Sequence, residues 1–198
     1  METSEVLAEF EAAGALLKGH FVLSSGRHSD TYLNKSLVAT DPARVGRLCG
    51  ALAAKVRERL GPDKAPAQIV APALGAIVFG YEVARSLGAP FMFAERGDAG
   101  GFVIRRGFEI TPGARVLVVE DIVSTGLSAR ECVAAVGQAG GDVVALACLI
   151  DRSGGTADVG APMIPLATLD VATYAPDALP PELAATPAVK PGSRGRPS

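Results

Sequence analysis

One run in the middle of the chain combines a strand pattern, two adjacent acids and a small polar turn: Val116-Leu-Val-Val-Glu120-Asp121-Ile-Val-Ser124-Thr125-Gly126-Leu127-Ser128. Its apolar start predicts a buried strand, and the turn opens a helix predicted from about Leu127 to Ala139. In open parallel sheets, ligands bind beyond the carboxyl ends of the strands, where this turn must lie. We therefore expect a binding site here, with both acids at a solvent-facing loop.

The residue types in this run indicate a sugar-phosphate site. Backbone N–H groups at a helix start, together with the hydroxyls of Ser124, Thr125 and Ser128, can surround a phosphate dianion. Glu120 and Asp121 would repel a phosphate, so we expect them to face ribose hydroxyls or Mg²⁺. The run lacks the motifs of a Walker loop and of a dinucleotide fingerprint. An ordinary strand–turn–helix remains the plainer alternative.

Apolar strands and helices alternate along much of the chain. Predicted helices cover about residues 42–60, 76–87 and 127–139, and predicted strands cover 68–71, 91–94, 115–119, 142–150 and 163–171. This alternation is typical of an α/β fold with an open parallel sheet and helices on both faces. Upstream, the pattern predicts a helix over residues 3–18 that ends at Gly19, and two short strands around a turn at Gly26-Arg27.

Length and composition indicate one globular domain. Of the 198 residues, 48% are hydrophobic and 20% are charged, which is ordinary for an α/β protein. We expect the domain to span residues 1–189, with a small N-terminal part, the hood, over about 1–36. A flexible tail is expected over residues 190–198, near the end of a proline-rich stretch.

The same numbers exclude several classes of partner and location. A net charge of −2 argues against nucleic acid as a partner. No apolar run reaches the ~18–20 residues that a membrane span needs, and the acidic start is not a signal peptide, so we expect a cytoplasmic protein without membrane contact. Cys49, Cys132 and Cys148 lie apart in apolar runs, which is typical of buried thiols rather than of a zinc site or a disulfide framework.

Residues 118–128 resemble the phosphoribosyl pyrophosphate (PRPP) signature of type I phosphoribosyltransferases. The resemblance implies that Glu120 and Asp121 bind the ribose hydroxyls, and that Asp121 is also catalytic. It further implies Mg²⁺ as cofactor, held through PRPP with no direct protein ligand expected, and Glu120 and Asp121 as the groups through which the protein could contact it. The PRPP-binding residues that follow the acids, most of them around the 5′-phosphate, are Ile122, Val123, Ser124, Thr125, Gly126, Leu127 and Ser128.

Other segments resemble the orotate branch of this family. They are the hood residues 19–35 with their Phe-x-Leu-x-Ser-Gly-x-x-Ser pattern, the pyrophosphate loop at 71–75, the strand end at 149–152 and the short ending at 190–194. The resemblance implies that the backbone amides of Ala73 and Leu74 hold pyrophosphate, and that Ser24, Ser124 and Arg152 bind orotate. Arginine suits this role because its planar fork matches a carboxylate.

The chain also departs from the family pattern. Ser24 and Leu74 stand where a lysine is frequent, and the catalytic loop, residues 95–107, is short. Arg96 alone matches its basic run, and we expect it to be catalytic and to neutralise the pyrophosphate. Arg105 and Arg106 either supply the remaining charge or flank a hairpin. Lys35 is either solvated or a ligand contact.

For the whole chain, the resemblance implies transfer of phosphoribosyl from PRPP to orotate, giving orotidine 5′-monophosphate and pyrophosphate. It also implies a homodimer whose active sites are shared across the interface. Two alternatives remain: a type I enzyme acting on a purine or uracil, and a ligand-sensing regulator of the same fold. The hood pattern argues against a purine enzyme. The net charge of −2 and the lack of an added DNA-binding module argue against the ligand-sensing regulator.

Overall fold

A computed structural model of the chain describes residues 1–23 and 26–191. In these residues, six strands form one sheet and two strands near the N-terminus form another. The strands are β1 Leu16–Val22, β2 His28–Leu33, β3 Gln68–Pro72, β4 Phe91–Arg96, β5 Phe102–Ile104, β6 Arg115–Val123, β7 Asp142–Asp151 and β8 Met163–Thr168. The helices are α1 Thr3–Ala12, α2 Lys35–Val38, α3 Pro42–Leu60, α4 Ile77–Leu87, α5 Leu127–Gln138 and α6 Pro181–Ala184.

The larger sheet has the order β5-β4-β3-β6-β7-β8 and is parallel except for β5, which runs antiparallel to β4. The predicted parallel α/β sheet is thereby confirmed, and the antiparallel edge strand was not predicted. From β3 the chain moves outward to β4 and β5, and it then returns to the other side of β3 as β6. Such a reversal of strand order opens a crevice at the carboxyl ends of the two central strands.

Helices cover both faces of the sheet, as predicted. Leu117 and Val119 of β6 belong to a core that includes residues of α1, α3 and α4, whereas Val116 and Val118 belong to a core that includes residues of α5. This division follows from the alternation of side chains along a strand. The three cysteines are buried as free thiols, as the sequence predicts.

Helix α3 starts and packs as its sequence predicts. The Asp41 side chain accepts hydrogen bonds from the backbone N–H groups of Ala43 (2.9 Å) and Arg44 (3.3 Å), and Pro42 occupies the first turn.

None of the helices in the described residues combines the length and the apolar character that crossing a bilayer requires.

The N-terminal prediction is partly wrong. Helix α1 ends at Ala12 rather than near residue 18, because Gly14 turns the chain with a φ of 62°. Leu16 then begins β1, which pairs antiparallel with β2. The predicted turn near Gly26 is confirmed, with the Gly26 N–H bonded to the Leu23 carbonyl at 2.9 Å.

The C-terminal segment returns to the hood. His28 and Tyr174 exchange two backbone hydrogen bonds of 2.9 and 2.8 Å, and Val189 pairs with β1. Of the predicted tail, Lys190 and Pro191 are described, and residues 192–198 lie outside the described residues. The division into a domain over 1–189 and a tail stays a prediction.

Candidate active site

The two acids lie inside β6 and not at a solvent-facing loop, which corrects the expectation from the sequence. The strand continues to Val123, and Glu120 and Asp121 are 7% and 1% exposed. Asp121 N–H donates to Glu120 Oε1 (3.0 Å), and Ile122 N–H donates to Asp121 Oδ1 (2.6 Å). The acids are therefore fixed by the strand and by short local hydrogen bonds.

Lys35 forms an ion pair with the buried acid. Its Nζ lies 2.6 Å from Asp121 Oδ2. A Cβ added to Gly75 would lie 2.5 Å from the same oxygen and 2.8 Å from Lys35 Nζ, so the loop after β3 packs directly against this pair. Lys35 at the start of α2, the pyrophosphate loop and the acids of β6 thus meet at one point.

The sequence left two alternatives for Lys35, a solvated side chain or a ligand contact. In the structure the Lys35 side chain is 39% exposed, and its ammonium group is ion-paired with Asp121 at the site. Its signal was its place at the end of the hood segment, residues 19–35.

Burial and neighbouring charges shift the pKa values of Glu120 and Lys35. Burial, and then the charge of Asp121, raise the pKa of the Glu120 carboxyl well above its usual range. Burial lowers the pKa of Lys35, but the attraction of Asp121 and its hydrogen bond outweigh burial and leave the pKa raised. The lysine therefore keeps its charge, and Glu120 retains a proton at higher pH than an ordinary glutamate.

A small cavity of about 160 Å³ lies at the turn between β6 and α5. Its lining includes most residues from Glu120 to Ala129, among them the side chains of Ser124 and Thr125, which are exposed. Gly126 has a φ of 77°, and a Cβ there would lie 3.0 Å from the Asp158 carbonyl oxygen. A glycine is therefore required for this turn.

The PRPP residues predicted in this segment are brought together, with one qualification. The Val123 side chain is buried in the core, which leaves only its backbone for a ligand.

A larger cavity of about 550 Å³ lies between the hood and the turn. Its walls come from the hood, the β6–α5 turn, the end of β7 and the C-terminal segment: Val22, Leu23, Tyr32, Leu33, Lys35, Ile122, Ser124, Thr125, Leu127, Arg152 and Pro191. Ser124 and Arg152, both predicted to bind orotate, share this cavity. Ser24 lies outside the described residues.

Arg152 lies in the wall of this larger cavity, and one of its hydrogen-bond donors lacks a partner among the described residues. Its backbone N–H donates to the Val123 carbonyl (2.8 Å), and its Nη2 lies 3.5 Å from the Thr31 carbonyl oxygen. Its Nε is buried without a hydrogen-bond partner among the described residues. Burial lowers the pKa of this guanidinium. A partly buried cation with an unpaired donor is suited to an anionic ligand that brings its own acceptors.

Asp151, which sequence reasoning missed, fixes the loop that follows β7. This fully buried carboxylate accepts hydrogen bonds from Ser153 N–H (2.8 Å), Ser153 Oγ (2.6 Å) and Gly155 N–H (2.7 Å). The same loop continues to Ala157 and Asp158, which pack against Gly126. An acid at a strand end followed by Ser-Gly-Gly was the available signal for such a turn.

The predicted catalytic loop is a short hairpin between β4 and β5. Arg96, the last residue of β4, pairs with Glu131, donates to Ser128 Oγ (3.2 Å) and stacks over the Phe102 ring at 4.1 Å. Arg105 and Arg106 both bind Glu95, at 2.8 and 2.6 Å. Of the two alternatives left by the sequence, they flank the hairpin. Arg96 thus lies beside the turn of its own chain that is predicted to hold phosphate, residues 124–128, here called the phosphate cradle.

Comparison with known proteins places this geometry in a family. A model of the phosphoribosyl transferase domain matches residues 40–171. The chain is 57% identical over 194 residues to orotate phosphoribosyltransferase of Methylobacterium sp. (strain 4-46), covering 98% of this chain and 97% of the relative. It is 59% identical over 195 residues to orotate phosphoribosyltransferase of Maricaulis maris (strain MCS10), covering 98% and 99%.

Solved structures agree in fold. Orotate phosphoribosyltransferase from Mycobacterium tuberculosis, in complex with inorganic phosphate, superposes with a TM-score of 0.61 at 27% identity, covering 84% of this chain and 95% of the other. The enzyme from Aeropyrum pernix superposes with a TM-score of 0.68 at 24% identity, covering 83% and 93%. With the matching domain model and relatives more than half identical over nearly the full length, the chain belongs to the orotate phosphoribosyltransferase family.

Proposed function

We propose that the chain transfers the 5-phosphoribosyl group of PRPP to orotate, producing orotidine 5′-monophosphate and pyrophosphate for UMP synthesis. The observation that carries this proposal is Arg152, whose buried Nε has no partner among the described residues and which lines the 550 Å³ cavity. Orotate carries a carboxylate that would complete the hydrogen bonding of this guanidinium. The purine and uracil substrates of related enzymes carry no such group.

PRPP is proposed to bind along the carboxyl ends of β3 and β6. The turn from Ser124 to Ser128 would hold the 5′-phosphate, and Glu120 and Asp121 would face the ribose hydroxyls. The backbone amide of Leu74 would hold pyrophosphate, because this loop packs directly against Asp121 and Lys35. The Ala73 N–H, which the resemblance also assigned to pyrophosphate, instead donates to the Ala94 carbonyl (2.7 Å).

Mg²⁺ is proposed as the cofactor. Within residues 1–23 and 26–191, no group of three or more His, Cys, Asp or Glu side chains is arranged to hold a metal ion. Mg²⁺ commonly binds one or two carboxylates together with phosphate oxygens and waters, so Glu120 and Asp121 fit beside an ion carried by PRPP. Asp121 Oδ2 is already engaged by Lys35. When bound, the ion reduces the negative charge on the leaving pyrophosphate.

The residues would act mainly by positioning and by charge. Loss of pyrophosphate leaves a ribosyl group with oxocarbenium character, and fixed charges around it lower the barrier without reorganising. The buried Asp121, held by Lys35 and by the Ile122 N–H, is such a fixed charge beside the ribose. Arg96 would neutralise the departing pyrophosphate. Orotate needs no strong general base, because its ring nitrogen is acidic.

A homodimer with shared sites is also proposed. Leu74 of the pyrophosphate loop and Val78 and Tyr81 of the following helix expose 84%, 47% and 60% of their surfaces. An apolar groove of about 280 Å³ lies between α3 and α4. Adjacent apolar side chains of this size are typical of an interface. In such a dimer the Arg96 hairpin of one chain would serve the site of the other. The cytoplasmic location stays a prediction from the sequence.

The proposal is tested by offering orotate, hypoxanthine, guanine and uracil in competition, each with PRPP and Mg²⁺. Formation of orotidine 5′-monophosphate as the dominant product is expected. A dominant purine or uracil nucleotide would overturn the substrate assignment, and no nucleotide product at all would favour the ligand-sensing regulator.

A further inference from the structure

We propose that residues 186–191, here called the strap, are a specificity element that positions the hood over the base and forms part of its cavity wall. This inference rests on the proposed function, because it takes the 550 Å³ cavity as the orotate site. The strap acts through the hood and not on the reacting atoms, so it is a positioning element.

The strap extends the hood sheet by one short strand. Val22 N–H donates to the Val189 carbonyl (2.9 Å), Val189 N–H donates to the His20 carbonyl (2.8 Å), and Val189 bridges Phe21 in parallel. A two-stranded sheet alone is marginally stable in water, and further pairing stabilises it. On the β2 side the hood already pairs with Tyr174 through His28, and the strap supplies a backbone partner for the outer edge of β1.

A pair of histidines, one buried and one half-buried, anchors the start of the strap. His20, 5% exposed, has its Nδ1 2.7 Å from the Thr186 carbonyl and its Nε2 2.5 Å from His28 Nδ1. Because a carbonyl can only accept, His20 Nδ1 carries the proton, and His28 Nδ1 donates to His20 Nε2 when His20 is neutral. The two rings thereby connect the strap to both hood strands.

The strap ends in the wall of the cavity. Pro191 lines it together with Val22, Leu23 and Tyr32 of the hood, and Arg152 lines the same cavity. An apolar wall on a planar base excludes water and strengthens the ion pair that the guanidinium forms. Loss of the strap should therefore weaken orotate binding much more than PRPP binding, because the phosphate cradle and the pyrophosphate loop contain no strap residue.

Two shortened chains test the strap, one ending at Pro191 and one ending at Ala185. The chain ending at Pro191 should keep the orotate KM of the full chain to within about twofold, because it retains every strap contact. The chain ending at Ala185 should raise the orotate KM about tenfold or more, and the PRPP KM by less than about threefold. An unchanged orotate KM, or an equal rise for both substrates, would overturn the proposal.

A matched pair of substitutions at Val189 tests the role of the strap if the shorter chain does not fold. Val189→Pro removes the N–H that donates to His20, whereas Val189→Ala keeps it, and the exposed side chain contributes little in either case. Val189→Pro should raise the orotate KM about two- to tenfold, and Val189→Ala should leave it unchanged. Equal orotate KM values for the two variants would overturn the proposed role of the strap. If the full chain does not convert orotate, the proposed function fails, and this outcome is separate from any result with the variants.

Discussion

At the scale of a single residue, substitution of Arg152 tests whether orotate is the substrate. If its guanidinium holds the orotate carboxylate, Arg152→Ala removes a charge-assisted hydrogen bond worth roughly 1.5–3 kcal/mol. The orotate KM should then rise roughly 10- to 150-fold, with a much smaller change in the PRPP KM. Steady-state kinetics with each substrate varied in turn measure both values. Arg130→Ala, which removes an exposed guanidinium paired with Asp158, is the control. Equal rises for both substrates would make Arg152 structural.

Lys35 tests the ion pair with the buried acid. Lys35→Met leaves Asp121 without its cation, so turnover should fall and the free energy of unfolding should drop by roughly 1–3 kcal/mol. This drop is below that of a fully buried pair, because the Lys35 side chain is 39% exposed. The raised lysine pKa contributes stability that is complete below about pH 10.4 and is lost as the pH rises through the folded-state pKa.

Denaturant unfolding and turnover of Lys35→Met and of Lys64→Met, an exposed lysine away from the site, separate this effect from a general loss of charge. Equal unfolding free energies for the two variants would contradict the role of Lys35.

At the scale of elements, the β4–β5 hairpin depends on Glu95. Hydrogen bonds from Arg106 and Arg105 lower the pKa of this carboxyl to about 2. The unfolded chain therefore takes up a proton before the folded chain does, and the stability from these pairs is lost as the pH falls from about 4.3 to about 2. Glu95→Gln should thus be less stable than the parent at pH 7, and the difference should shrink over this range.

Denaturant unfolding at several pH values checks this, with Glu109→Gln as an exposed control. A difference between Glu95→Gln and the parent that does not change with pH would refute the role of the two arginines.

Sequence patterns predicted most elements because the sheet strands are apolar and the helices are periodic. The sequence predicts Glu120 and Asp121 in a loop because carboxylates are rare inside strands. In the structure the Lys35 ion pair and short local hydrogen bonds accommodate the two acids inside β6. Leu16 and Leu17 fit both a helix and a strand, and Gly14 rather than Gly19 ends the helix. The roles of Lys35 and Asp151 depend on contacts across the fold, which local patterns do not contain.

At the scale of the whole molecule, the question is whether the Arg96 hairpin works within its own chain or across a dimer. In the single chain Arg96 pairs with Glu131, so action in trans requires that this pair open. Mixing Asp121→Asn with Arg96→Ala under conditions of subunit exchange tests this. In a shared site, a heterodimer has one site with both defects and one with neither, so activity should return to about half of the parent per heterodimer.

Sedimentation of Tyr81→Asp provides the control for assembly, because a charge on the apolar patch beside the pyrophosphate loop should dissociate a dimer. No recovery of activity despite verified exchange would show that Arg96 acts within its own chain or not at all.

The pairing of the strap with the hood affects the order in which parts of the molecule form during synthesis. The ribosome releases the C-terminus last, yet Val189 and Pro191 complete a cavity whose other hood residues lie before residue 36. The contact between His20 and Thr186 spans 166 positions, the kind of non-local closure that forms slowly. A growing chain can thus form its sheet and the β6–α5 turn before the wall that Val189 and Pro191 add to the cavity. If that cavity binds orotate, we expect orotate to stabilise a chain that includes the strap more than a shorter chain, whereas stabilisation by PRPP should differ little between the two.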